Sequence, residues 1–217
     1  MRHLFGLCIV IFLGIIMFCE SAKSNVEINE PVMAYKMGVH SAVTPVPVAD
    51  EWWKSRHQKI VEQTGKRAVD LIFVGDSITQ CWEEVGKEVW QKYYVKRNSL
   101  NLGFSGDRTQ HVLWRLEHGE ISNISPKLAV VLIGTNNSNK NDYTPKQISD
   151  GIVAICKKLR EDLLGTKILL ISILPRGEKP SLQREKNIEA SRLASVIADN
   201  KWIYYLDCGE NFWLVMV

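Results

Sequence analysis

Ser77 follows Gly75 and Asp76 at the end of an apolar run, in the stretch LIFVGDSITQ at residues 71–80. A hydroxyl on a small turn at the tip of a buried strand can attack an acyl carbon. It can equally cap a helix, the commoner task of a serine in that position. Two further strand-like runs end in residues that would complete acyl transfer. NLGFSGDRT closes in a turn with Gly103 and Gly106, and GTNNSN sets Asn136 and Asn137 just past Gly134. A hydroxyl, a glycine-flanked backbone N–H and a side-chain amide are the parts needed to attack a carbonyl and hold the resulting oxyanion. Singly, each has a plainer reading: Gly106 chosen for its backbone conformation, Asn136 as a turn former, Asp107 as the cap of the helix after it. Their recurrence at the ends of successive runs is what the plainer readings leave unexplained.

For these residues to meet, the elements before them must end on one edge. Strand-length apolar runs fall at 69–74, 99–104, 128–133, 167–174 and 203–206, with amphipathic segments near 84–94, 108–118, 144–163 and 181–199. In the segment 144–163, Ile148, Ile152, Ile155 and Leu159 recur at spacings of four, three and four, the period of one helix face. Runs without polar alternation indicate strands buried on both faces, hence a parallel sheet between two helical layers. The alternation predicts an α/β, doubly wound (flavodoxin-like) three-layer sandwich with a five-stranded parallel sheet, whose chemistry gathers at the carboxyl ends of the strands. Ahead of it, Asp50 opens a helical stretch, EWWKSRHQKIVEQTGK, that Gly65 stops.

A chain of 217 residues that is 46% hydrophobic supplies one well-buried domain. The net charge of +3 and the lack of a basic block exclude a nucleic-acid face; Lys157, Lys158 and Lys186 read as solvated helix positions. At the N-terminus, Arg2 and His3 precede an apolar run from Leu4 to Cys19, followed by the small residues Ser21 and Ala22. Residues 1–22 therefore read as a signal peptide, best cut after Ser21, and predict a secreted or periplasmic protein without a stable membrane span. The alternative is an anchor formed by the uncleaved segment. Residues 23–48, with VTPVPVAD, read as an extended linker, and 49–217 as the domain. Beyond the leader, Cys81, Cys156 and Cys208 are odd in number and widely spaced, so no disulfide framework or zinc pattern is predicted. Gly75-Asp76-Ser77-Ile78-Thr79 lacks the second glycine of a nucleophile elbow, and no dinucleotide or P-loop glycine pattern occurs.

Gly75-Asp76-Ser77 with Gly106 and Asn136 resembles the first three sequence blocks of the GDSL/SGNH hydrolases. Within that superfamily, GDRTQHVLWRLEHGE, GTNN and LLISILPRGEKP are similar to the catalytic subunits of platelet-activating-factor acetylhydrolase and their secreted bacterial relatives, over roughly residues 50–210. The resemblance implies a serine ester hydrolase that needs no cofactor and takes a small-molecule acyl ester, with acetyl favoured, from a lipid or a glycan. It implies Ser77 as nucleophile, and an oxyanion hole of the Ser77 and Gly106 N–H groups with the Asn136 amide. It extends to homodimers, although no residue here marks an interface.

The resemblance also demands a base, which the family carries in a D-x-x-H block after the last strand, followed by a C-terminal helix. After WIYYLDCGENF no such block appears, so the domain is expected to be truncated, its C-terminal helix absent, and hydrolysis by this chain weak. Asp207 precedes the position of that block and is not its acid. His111, in QHVLWRL, is the substitute base to consider, but family members with the terminal histidine share that string, which favours a structural role. A non-hydrolytic homologue that only binds acyl or glycan ligands is the alternative.

Overall fold

The computed structural model describes residues 31–139, 142–176 and 180–209. The leader, residues 23–30 of the expected linker and the tail after Gly209 lie outside them. Five strands form one sheet: β1 (Leu71–Gly75), β2 (Ser99–Gly103), β3 (Leu128–Leu132), β4 (Lys167–Ile171) and β5 (Ile203–Leu206). All neighbours are parallel and the order is β2-β1-β3-β4-β5, the flavodoxin-like order expected of a doubly wound sheet. Each strand overlaps an apolar run read from the sequence. The reason for the missing polar alternation is visible in β1: Ile72 and Val74 enter a hydrophobic cluster on one face, and Leu71 and Phe73 enter a second cluster on the other. Each such side chain, fully buried, stabilises the fold by ~1.5–3 kcal/mol.

After a single α-helical turn at Pro31–Ala34, the described helices are α1 (Glu51–Thr64), α2 (Ser77–Gln80), α3 (Lys87–Tyr93), α4 (Thr109–Arg115), α5 (Pro145–Asp162) and α6 (Leu182–Ala194). Asp50 starts α1 by accepting the Trp52 and Trp53 N–H groups at 2.8 and 3.2 Å. Helix α5 begins at a capping box of Thr144 and Gln147 with Pro145 in its first turn, and buries Ile148, Ile152, Ile155 and Leu159, the periodic set. The amphipathic segment near 84–94 holds α3, which starts after Gly86, a residue packed against Trp82 of the 3₁₀ turn Cys81–Glu83 where a side chain would collide. The helix expected over 108–118 leaves α-geometry after Arg115 in a wide turn, Leu116–Glu120, that Gly119 closes with φ +105°.

Residues 31–48 correct the linker reading. Val32 and Ala42 are fully buried, the Tyr35 hydroxyl meets Ser149 Oγ at 3.1 Å, and the Ala42 carbonyl accepts from Thr109 Oγ1 at 2.8 Å. The Gly38 N–H and His40 Nε2 both reach Asp150 Oδ2 at 3.1 Å. This strap shows no period because it builds almost no regular structure. Its apolar residues pack beside α5, and its long-range polar contacts span 67 to 114 positions in sequence.

The winding fixes where a site can form. The chain passes from β1 to β2 on one side and then crosses to β3 on the other, so a crevice opens at the carboxyl end of β1. There Gly75 lies in register with Gly103 of β2 and Leu132 of β3. On the outer side of β2, the carbonyls that β1 does not use accept from side chains: Ser99 O from Arg67 Nη2 at 2.8 Å and Gly103 O from Arg56 Nε at 2.9 Å.

The strap clasp yields a pH-dependent expectation. Burial alone would raise the Asp150 carboxyl, but hydrogen bonds from Lys146, His40 and the Gly38 N–H hold it below the ordinary value. A carboxylate depressed in the folded state contributes stability above its unfolded pKa and loses it as pH falls through its folded value. Asp150→Ala is expected to lower the unfolding free energy by about 2 kcal/mol at pH 7. In urea titrations the gap to the wild type should narrow below about pH 4, where the carboxyl protonates.

Candidate active site

The turn after β1 is built around glycine and a cap. Asp76 Oδ1 accepts the Ile78 N–H at 2.9 Å and so starts α2, whose first residue is Ser77. Ser77 is half-buried, and as the first residue of a helix its N–H has no intrahelical acceptor. A side chain at Gly75 would stand 2.1 Å from Thr79 Oγ1 and 2.4 Å from the Leu132 carbonyl, and one at Gly103 would stand 2.3 Å from the Gln80 N–H nitrogen. These two glycines, side by side in the sheet, let α2 sit directly on the strand ends. Asn101 fastens it there, giving Nδ2 to the Thr79 carbonyl at 2.9 Å and accepting the Gly103 N–H at 2.8 Å. Nothing in the spacing of Asn101 marked it as more than part of a strand.

The loop after β2 crosses beside this turn. The Phe104 N–H donates to the Gly75 carbonyl at 3.2 Å, and the Ser105 N–H to Gln80 Oε1 of α2 at 2.7 Å. Gly106 is exposed with φ +80°, and a side chain there would meet nothing within 4 Å. It is needed for its left-handed backbone, not for space. Its N–H finds no acceptor among the described residues.

Asp107, expected as a helix cap, is an anchor instead; Arg108 occupies the cap position of α4. The fully buried Asp107 carboxylate accepts Trp53 Nε1 at 2.7 Å on Oδ1 and Arg115 Nε at 2.8 Å on Oδ2. Arg115, also without exposed surface, pairs closely with Glu120, donates to the Leu102 carbonyl at 3.2 Å and lies 3.9 Å from the centre of the Phe104 ring. Burial pushes the Asp107 carboxyl up to about 6, against the lowering pull of Arg115 and the Trp53 hydrogen bond.

The loop after β3 turns at Gly134, φ +121°, and presents two asparagines with different tasks. Half-buried Asn136 gives one hydrogen of Nδ2 to the Asp107 carbonyl at 2.9 Å, which ties it to the residue following Gly106. Fully buried Asn137 accepts the Thr109 N–H at 3.0 Å and donates to Thr109 Oγ1 and Gln110 Oε1 at 3.1 and 3.2 Å. Ser77, Gly106 and Asn136 thus stand on three neighbouring strand ends, with the loop after β2 hydrogen-bonded to both of the others. Among the described residues, the Gly106 N–H and the second hydrogen of the Asn136 amide meet no acceptor, and Ser77 is half-buried at the adjoining strand end. That arrangement can receive a carbonyl and the negative charge that forms on it.

Two titratable neighbours bear on the chemistry. Burial raises the Asp76 carboxyl to about 7; the Ile78 N–H lowers it, the Asp107 charge raises it and Arg176 lowers it. Its Oδ2 has no hydrogen-bond partner among the described residues. His111 Nδ1 accepts the Arg108 N–H at 3.1 Å, and burial, with the charges of Arg108 and Arg115, lowers the ring to about 4. At neutral pH the ring is therefore uncharged, its proton sits on Nε2, and its lone pair is spent on the backbone. His111 caps a helix and has nothing left with which to deprotonate Ser77. Burial raises the Cys156 thiol to about 12, consistent with an inert core residue. Among the described residues, no three His, Cys, Asp or Glu side chains are grouped to hold a metal, and no helix is long and apolar enough to cross a membrane.

Comparison with known proteins matches residues 73–213 to the model of the GDSL-like lipase/acylhydrolase family. The human platelet-activating factor acetylhydrolase IB subunit alpha1 is 35% identical over 176 residues, covering 79% of this chain and 74% of the relative. The human alpha2 subunit is 39% identical over 147 residues, 68% of this chain and 62% of the relative. Among solved structures, a member of the lipolytic G-D-S-L family from Veillonella parvula superposes with a TM-score of 0.59 at 15% identity, over 69% of this chain and 82% of that one.

The ionic anchor under the loops gives a stability test. Asp107 has a folded pKa above its unfolded one, so its ionisation opposes folding as pH rises through about 6. Arg115→Met removes the guanidinium that offsets this and leaves the two buried carboxylates with only Trp53 and His57 as partners. We expect a loss on the order of 3 kcal/mol at pH 7.5 by urea unfolding. The loss should shrink toward pH 5, as Asp107 takes up its proton.

Proposed function

The chain belongs to the GDSL-like lipase/acylhydrolase family, whose members hydrolyse esters, and we propose that it removes small acyl groups, acetyl above all, with Ser77 as the nucleophile. The observation that carries this reading is the hydrogen-bonded assembly of three strand ends around Ser77, Gly106 and Asn136. Ser77 Oγ adds to the acyl carbon and the carbonyl oxygen becomes an oxyanion. The Ser77 N–H, the Gly106 N–H and the second hydrogen of the Asn136 amide receive it. Collapse expels the alcohol and leaves an acyl-serine, which water then hydrolyses through the same oxyanion site. A base must take the Ser77 proton, and it is not His111, whose lone pair is committed to Arg108.

The preference for acetyl is supported by the names of the relatives, which are acetylhydrolases. The alcohol belongs to the same proposal as a lipid or a glycan. The leader supports export: Arg2 and His3 ahead of the apolar run Leu4–Cys19 form the pattern of a secretory signal. Mass spectrometry of the exported protein should find an N-terminus near Ala22, and one at Met1 would contradict this part of the proposal.

Hydrolysis of 4-nitrophenyl acetate is the direct test. The wild-type rate should be low, because no described residue supplies the base, and Ser77→Ala should remove what remains. Asn136→Ala should reduce kcat by roughly 10²–10³ with little change in KM, because its amide acts on charge that exists only in the transition state. Acetyl esters should exceed octanoyl esters in kcat/KM. Hydrolysis that survives Ser77→Ala would reject the assignment.

A further inference from the structure

A second opening lies along the free edge of β2. A cavity of about 420 Å³ is set between α1, which covers one face of the sheet, and α3, which covers the other, with Ser99 and Leu100 of β2 in its lining. It has the size of a small-molecule site, and its lining includes none of Ser77, Gly106 and Asn136. Two indoles contribute walls. Trp90 of α3 is held by Phe73 and Tyr94, whose ring centres lie 5.2 and 5.3 Å from its own, and Trp52 of α1 is 47% exposed.

The polar lining is not self-sufficient. Arg56 brings its own counter-ion, a two-pronged pair with Glu83 at 2.9 and 2.8 Å. Arg67 and Lys59 line the same cavity and pair with no carboxylate among the described residues. Arg67 is nevertheless fixed, because its Nη2 donates to the Ser99 carbonyl at 2.8 Å. A guanidinium has two edges that each present a parallel pair of N–H groups, and one bond from Nη2 engages only one of them. The other edge is whole. The Ser99 hydroxyl, in the same lining, is buried and has no hydrogen-bond partner among the described residues. Guarding the sheet edge requires only the bond from Nη2. It gives no reason for a second unpaired cation in the same cavity, where two positive charges repel, or for a buried hydroxyl left without a partner.

We propose that this cavity is a binding site for a small aromatic anion, a carboxylate or phosphate carried on a flat ring system, and that this ligand is not the ester substrate. The rings pack against Trp52 and Trp90. The anion accepts two parallel hydrogen bonds from the whole edge of Arg67 and is answered by the charge of Lys59 as well. The Ser99 hydroxyl gains the partner it lacks. No part of this depends on the reading of Ser77 as the nucleophile.

Three probes of one outline test it by calorimetric titration of the full chain: 2-naphthoate, 2-naphthyl phosphate and the neutral 2-naphthamide. In the wild type, at least one anion should bind about tenfold more tightly than the amide, by a margin that shrinks as salt is raised. The tighter anion identifies the group the cavity takes. Arg67→Gln, whose amide can keep a bond to the Ser99 carbonyl, should abolish the preference. Lys59→Gln, at an exposed position, should reduce it by about threefold. Trp52→Ala should weaken all three probes alike. Equal binding of anions and amide by the wild type overturns the inference, as does a preference that survives Arg67→Gln. If Arg67→Gln does not fold, the Lys59→Gln titration decides, and an unchanged preference there counts against the site. A preference lost in Asn136→Ala but kept in Arg67→Gln would put the anion at the catalytic edge and overturn the inference too.

Discussion

A guanidinium with no contact with water, that of Arg115, ties together the parts of this fold that meet at the candidate site. It reaches Asp107 in the loop after β2, Glu120 in the wide turn after α4 and the Leu102 carbonyl of β2, and it stacks on Phe104. Through Asp107 the same cluster takes in Trp53 and so α1; through Glu120 it takes in His57 of the same helix at 3.0 Å. Burying three ions is costly, and the cost is offset only because every charge has an opposite partner within hydrogen-bond reach. Such a cluster tolerates little displacement. A small shift of the loop would leave a carboxylate without its donor in a medium that cannot solvate it.

That rigidity is what the proposed chemistry requires. Donors that are already in place need no reorganisation as charge develops, and their effect is greatest where water is scarce. Gly106 contributes a backbone conformation, and Asp107 beside it provides the anchor. Asn136 spends one amide hydrogen on the Asp107 carbonyl and keeps the other, while Asn137 is wholly occupied with Thr109 and Gln110. The strap over residues 31–48 joins the same network, since Ser41 Oγ reaches the Tyr143 hydroxyl, which also accepts from Gln110. The segment that looked like a tether is a wall of the scaffold.

The strands were legible because their signal is local: a short apolar run needs only its neighbours in sequence to be read. Helix α5 was legible for the same reason, through four apolar residues on one face. The places of Ser77, Gly106 and Asn136 at strand ends were legible from the runs before them. What could not be read were partnerships across long separations. Trp53 and Asp107 are 54 residues apart, and Gly38 and Asp150 are 112 apart, and no periodicity connects them. Asp107 resembled a cap because Asp before a helix usually is one. Its real partner, Arg115, stood eight residues on within a helix that looked amphipathic and ordinary.

The guanidiniums of Arg67 and Arg56, seated on the outer carbonyls of β2, bear on how this protein meets copies of itself. A sheet that ends in an open strand invites another chain to add one more, in register, and then another. Here the incoming strand would have to displace two charged donors and accept their positive charge along its own backbone. Asn101 occupies the intervening Gly103 N–H from the same strand. At this margin, the β2 edge of the sheet, the molecule is protected from templating its own aggregation.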